Sequence, residues 1–99
     1  MPRIMFTISY SIIPEQRETY LGLIRQLRDH LVNTTKKNYA VYEMKGKRHH
    51  FTEVYMFGSQ EEFDALDDTQ DERTQELLTL LEGCIDENSK KYSTYAEVS

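Results

Sequence analysis

Glu53 is the residue of this sequence best placed to do chemistry. It stands in "HHFTEVYMF", where Phe51, Tyr55 and Phe57 alternate with it. A carboxylate among alternating aromatic residues is paired, displaced to an edge, or pushed up in pKa by desolvation. In the last state it can serve as a general base. Tyr55, two residues on, and Tyr10 carry hydroxyls that can orient a ligand beside it. The competing reading is that Glu53 reaches solvent or pairs with a lysine or arginine.

The adjacent His49 and His50 suggest a metal, but successive residues of a strand point to opposite faces and cannot aim both rings at one ion. A catalytic zinc needs three protein ligands. The remaining histidine, His30, falls near the end of a predicted helix. The pair therefore reads as a solvated hairpin mouth, with a protonic or ligand-binding role for one ring as the alternative. Asp67 to Asp71, "DDTQD", matches the Asp-Asp-x-x-Asp pattern with which helical prenyl-transferring enzymes hold magnesium. Here it spans a helix break in a chain far too small for that fold, so the acids read as helix-dipole partners. Cys84, the single cysteine, lies on an apolar stripe as a small buried hydrophobe and forms no internal disulfide. There is no phosphate-binding glycine loop, serine elbow or His-x-x-x-His pair. No metal and no cofactor are expected.

The elements that must position Glu53 follow from periodicity. Residues 4–13 alternate, with Ile4, Phe6, Ile8, Tyr10 and Ile12 on one side, which predicts a strand. Pro14 ends it and opens a helix with Glu15 and Glu18 in its first turn. Tyr20, Leu23, Ile24, Leu27 and Leu31 recur at helical spacing over about five turns, closed near Asn33. Residues 39–44 and 49–57 predict two strands about the Lys45-Gly46-Lys47 turn, an antiparallel hairpin. Ser59 to Glu62 forms a capping box, in which serine and glutamate satisfy each other's amides, and Phe63 and Leu66 open the apolar side of that helix. Thr69 to Glu72 forms a second capping box. Leu77, Leu78, Leu81, Cys84 and Ile85 make the following helical stripe, ended by Asn88 and Ser89. Alternation of Tyr92, Thr94, Ala96 and Val98 predicts a last strand. The order β-α-β-β-α-α-β is the α+β, ferredoxin-like split βαβ arrangement with a four-stranded antiparallel sheet.

Ninety-nine residues suit a single domain, 1–99, with a thin core. A net charge of −5 with scattered Lys and Arg predicts no nucleic-acid partner. The acidic balance and the lack of a run of some 20 apolar residues predict no membrane association. "MPRIMFTISYSII" departs from the three-part pattern of a secretory leader, and together with the single cysteine this points to a cytoplasmic, reducing setting. Both sheet faces carry apolar residues: Met5 and Ile13 oppose the isoleucine series, and Val54 and Met56 oppose Phe51, Tyr55 and Phe57. A lone subunit would leave one face bare, so a homodimer through Thr52, Val54 and Met56 is expected.

At this point the chain resembles the dimeric α/β-barrel superfamily, and within it the antibiotic-biosynthesis monooxygenase-like domains. The resemblance spans nearly the whole chain. It rests on "SIIPEQRETYLGLIRQL", on the hairpin, and on the Phe57 to Phe63 junction "FGSQEEF", where the family usually has Trp-Glu-Ser ahead of a helix with a similarly placed Phe. The family includes cofactor-independent monooxygenases of aromatic substrates and haem-degrading enzymes. Its pocket tryptophan falls on Phe57, which has no indole N–H. The β1 asparagine of haem-degrading members falls on Ile8, and their haem-ligating histidine falls near Glu76. The resemblance thus implies a dimeric α/β barrel without haem chemistry, and points Glu53 toward the helices. The pocket it implies between sheet and helices is lined by Tyr10, Phe57, His49 and Phe51, with Glu53 and Tyr55 as catalytic candidates and a phenolic or quinol ligand. A non-catalytic dimeric module with a structural or regulatory role is the alternative, and an open pocket reaching Glu53 discriminates between them.

Overall fold

Residues 2–65 and 71–98 are described by the computed structural model. The elements run β1 (Ile4–Ser11), α1 (Arg17–Asp29), β2 (Asn38–Glu43), β3 (His50–Phe57), α2 (Gln60–Asp64), α3 (Glu72–Glu82) and β4 (Lys91–Ala96). One four-stranded antiparallel sheet has the order β2-β3-β1-β4. This is the expected ferredoxin-like α+β arrangement.

β1 is shorter than its alternation predicts. After Ser11 the chain leaves the ladder: the Ile12 amide donates to His49 O at 2.9 Å, the Ile13 amide donates to Cys84 O at 2.8 Å, and Ile12 bridges Ile85. That bridge also corrects the third helix. Cys84 and Ile85 are not part of it, because α3 stops at Glu82 and Ile85 turns out to meet Ile12; Asn88 and Ser89 belong to a separate tight turn, Glu87–Ser89. Pro14 opens a 3-10 turn that leads into α1, and the far end of α1 widens into a π-type turn at His30–Thr34.

β3 begins at His50, not His49. His49 takes φ 68°, outside the extended region. The Ser59 cap forms as predicted, its hydroxyl accepting from the Glu62 amide, but the Glu62 carboxylate reaches back one residue further than a capping box requires, to the Gly58 amide at 2.7 Å. The predicted Thr69 cap lies outside the described residues, as do Leu66 and Asp67 to Gln70. At α3 the observed cap is Asp71, whose carboxylate accepts from the Thr74 amide at 2.8 Å.

The register puts Ile4, Phe6, Ile8 and Tyr10 opposite Phe57, Tyr55, Glu53 and Phe51. This face packs against Tyr20, Ile24 and Leu27 of α1 and Leu77 and Leu81 of α3, all buried. Each such leucine adds about 2 kcal/mol of burial.

Candidate functional site

Glu53 lies mid-strand on the helix-packed face, between Ile8 of β1 and Val41 of β2. Neither neighbour can hydrogen-bond it. Its partners come instead from the diagonal positions, two residues away along each flanking strand, where long side chains still reach. Tyr10 donates to Oε2 at 2.7 Å and Tyr39 donates to Oε1 at 2.6 Å. Tyr20, from the start of α1, lies 2.7 Å from the Tyr10 hydroxyl. With the Tyr10 proton directed at Glu53, Tyr20 donates to Tyr10. Two phenols thus donate to one carboxylate, one to each oxygen, and a third backs Tyr10.

The group is sealed: Glu53 is 4% exposed, Tyr10 and Tyr20 are 0% exposed and Tyr39 is 4% exposed. Burial pushes the Glu53 carboxyl above its ordinary value, and the hydrogen bonds from Tyr39 and then Tyr10 pull it back. Burial, and then the Glu53 charge, hold the Tyr10 and Tyr39 hydroxyls far above theirs. The carboxylate is therefore neither exposed nor paired with a cation, and it is not open to a ligand.

The residues expected around one pocket are divided. Tyr10 belongs to the sealed network. Phe51 packs on Tyr20 with ring centroids 4.6 Å apart and borders a separate groove of about 150 Å³ between α1 and β2. His49 sits in the β2–β3 turn, at the opposite end of β3 from Phe57. Tyr55 and Phe57 do line a cleft, of about 490 Å³, where β2 begins and β3 ends. Their rings are nearly parallel, with centroids 6.1 Å apart, and Tyr39 packs on Tyr55 at 4.7 Å. Arg3, Lys36, Asn38 and Glu62 give the cleft a polar rim. Lys36 holds a left-handed φ of 59°, a strained conformation that often marks functional backbone.

Sequence reasoning missed Tyr39 as a partner of Glu53 and Tyr20 as a partner of Tyr10. The hairpin pairing carried the signal for Tyr39, two residues from Val41 opposite Glu53. Tyr20 looked like one more apolar member of the α1 stripe.

At the other end of β3, the β2–β3 turn gathers positive charge that looked scattered in sequence. Lys45, Lys47 and Arg48 line a shallow cleft of about 440 Å³ with Arg17 and Glu43. Arg17 donates twice to Glu43, at 2.7 and 2.8 Å, and the His49 amide donates to the same carboxylate at 3.0 Å. These bonds hold the Glu43 carboxyl down to about 2. His50 is on the opposite sheet face, its Nδ1 3.2 Å from the Ser11 hydroxyl. His30 pairs with Asp71 at 2.8 Å, far from both. Among the described residues no group of three His, Cys, Asp or Glu side chains is placed to hold a metal ion. Cys84 is buried, and burial raises its thiol pKa.

Thr52, Val54 and Met56 lie on the sheet face away from the helices, opposite Ser9, Thr7 and Met5 of β1. Tyr42 and Tyr95, at 61% and 51% exposure, flank them. Ser9 and Thr52 hydrogen-bond each other across this face at 2.9 Å. Among the described residues no helix is long and apolar enough to cross a membrane.

No family model and no curated protein matches the chain. Solved structures do. A conserved protein from Methanosarcina mazei Go1 superposes with a TM-score of 0.79 at 18% identity, covering 96% of this chain and 92% of that one. An antibiotic biosynthesis monooxygenase gives 0.72 at 14% identity, with 97% of each chain covered. SnoaB, a cofactor-independent oxygenase from Streptomyces nogalater, gives 0.74 at 6% identity over 98% of this chain and 94% of that one. The chain is thus similar in fold to antibiotic-biosynthesis monooxygenase-like proteins, as the sequence resemblance implied.

Proposed function

We propose that this chain is a homodimeric small-molecule-binding protein whose ligand, a planar phenol or quinol, lies in the Tyr55–Phe57 cleft. The cleft itself carries the reading. Its aromatic walls suit a flat ring, and its polar rim suits the oxygens of that ring, the usual division of labour in ligand sites. The likeness in fold to a cofactor-independent oxygenase supports an enzymatic version, in which a phenol and dioxygen give a quinone and water. One oxygen atom replaces the hydrogen para to the hydroxyl and the other leaves as water, so no external reductant is needed. In that version Tyr55 meets the substrate. Glu53 acts as a positioning residue, through Tyr39 packed on Tyr55. Dimerisation through Thr52, Val54 and Met56 would pair two open sheet faces into a barrel, which the half-buried Val54 and Met56 and the exposed Tyr42 and Tyr95 beside them support.

Titration with quinols and polycyclic phenols, followed by tyrosine fluorescence, tests binding; oxygen uptake tests turnover. Saturable binding that weakens roughly tenfold in Phe57→Ala supports the cleft. Equal binding in that variant overturns it. The second reading, a non-catalytic dimeric module, is favoured by the closure over Glu53, whose two oxygens are already taken by phenols. Binding without oxygen uptake, unchanged in Glu53→Gln, selects that reading over the enzyme.

A further inference from the structure

The β2–β3 turn has a second chemistry that the cleft at Phe57 does not use. Met44 to His49 fold as two consecutive turns, closed by the Lys47 amide on Met44 O and the His50 amide on Lys47 O, both 3.3 Å. Two left-handed residues make this possible. Gly46 adopts φ 86° without strain. His49, at φ 68°, is held there by two tethers: its amide on Glu43, and its carbonyl accepting from Ile12.

The fixed loop presents Lys45, Lys47 and Arg48 around one concavity. None of the three side chains has a hydrogen-bonded or ionic partner among the described residues, nor do the amides of Lys45 and Gly46. The one acid in the concavity, Glu43, is already satisfied by three donors, so it does not compete for the lysines. The positive field extends around the turn: after burial, Lys47 and Lys91 press the His50 imidazole below its ordinary pKa. This field stands out in a chain of net charge −5.

We propose that the β2–β3 turn binds a phosphate group, held by the Lys45 and Lys47 ammonium groups and the Arg48 guanidinium, with the Lys45 and Gly46 amides as further donors. Three cations and neighbouring amides on a tight loop suit a compact dianion better than a single carboxylate. The phosphate can belong to a soluble ester or to a lipid headgroup, and the same chemistry serves both. This site is independent of the Tyr55–Phe57 cleft and stands whether or not that cleft takes a phenol.

The test uses the full chain at constant ionic strength. Inorganic phosphate is titrated by calorimetry, and vesicles of phosphatidylcholine with and without phosphatidic acid are assayed by co-sedimentation. Saturable phosphate binding, at least roughly tenfold weaker in Lys45→Gln/Lys47→Gln/Arg48→Gln and unchanged in Arg25→Gln, is the expected result for a soluble ester. Binding only to phosphatidic acid vesicles, lost in the same triple variant, supports the proposal with a lipid source. No binding in either arm overturns it. So does binding that sodium chloride abolishes at equal ionic strength, or that the triple variant keeps. Lys47→Gln alone, with circular dichroism to verify the fold, reads the same contrast if the triple variant unfolds.

Discussion

The Tyr39 hydroxyl lies 2.6 Å from Glu53 Oε1, although the residue directly opposite Glu53 on β2 is Val41. The diagonal reach turns an isolated mid-strand carboxylate into the hub of a polar core. Removing the hub leaves Tyr39, and one hydroxyl of the Tyr10–Tyr20 pair, without an acceptor in a sealed space. Glu53→Ala is expected to lower stability by about 3 kcal/mol, and Tyr39→Phe by about 1–2 kcal/mol, in urea denaturation. A loss under 1 kcal/mol in Glu53→Ala would show that the network contributes little.

The network also fixes a pH dependence. Burial raises the folded-state pKa of Glu53, so the folded chain holds its proton more tightly than the unfolded chain does. The resulting stability is present below the unfolded pKa and fades as pH rises through the folded one. Glu53→Gln, which cannot ionise, is therefore expected to gain stability relative to the parent as pH rises above about 4.5. A constant difference across that range would sink the assignment.

Glu43 has the opposite sign. Arg17 and the His49 amide hold its carboxyl near 2, below its ordinary 4.5. Its contribution is present above 4.5 and lost as pH falls toward 2. Because the pair is partly exposed, the effect is modest. Glu43→Gln should flatten acid unfolding in that window, and unchanged acid unfolding counts against it.

For the open sheet face, Val54→Asp and Met56→Asp are each expected to give monomers by sedimentation velocity, since a buried charge on an apolar contact is costly. An intact dimer in both variants removes this face as the interface.

At the start of α2, Ser59→Ala removes the hydroxyl that accepts from the Glu62 amide. The expected cost is about 1 kcal/mol in thermal denaturation. Gly58→Ala should add a smaller loss, because a Cβ there meets the Glu62 carboxylate at 3.3 Å and disturbs its bond to the Gly58 amide.

Period-two and helical spacing carried most of the fold. The alternation of Ile4 to Tyr10 and of Phe51 to Phe57 marked which residues share a face, and the α1 stripe marked the helix that covers it. What periodicity could not show was contact between elements far apart in sequence. The Ile12–Ile85 bridge draws Cys84 and Ile85 out of a helical pattern that continues through them. For the same reason Glu53 and Tyr10 stood out as chemistry while Tyr20 and Tyr39 did not. Those two belong to other elements, and each read locally as an ordinary aromatic. His49 misled because two tertiary tethers, not its own preference, put it in the left-handed region.

The strand order has a consequence for synthesis. β1 is an interior strand whose second neighbour is β4, so Ile4 waits for Ala96. Contacts this distant in sequence slow folding, because the chain must close a long loop before they form. As the chain emerges, α1 and the β2–β3 hairpin can assemble on β1 early. The outer edge of β1 then stays unpaired until the last strand arrives, as a transient template for strands of other chains. Slower emergence of residues 91–96 should therefore raise aggregation more than a delay anywhere earlier.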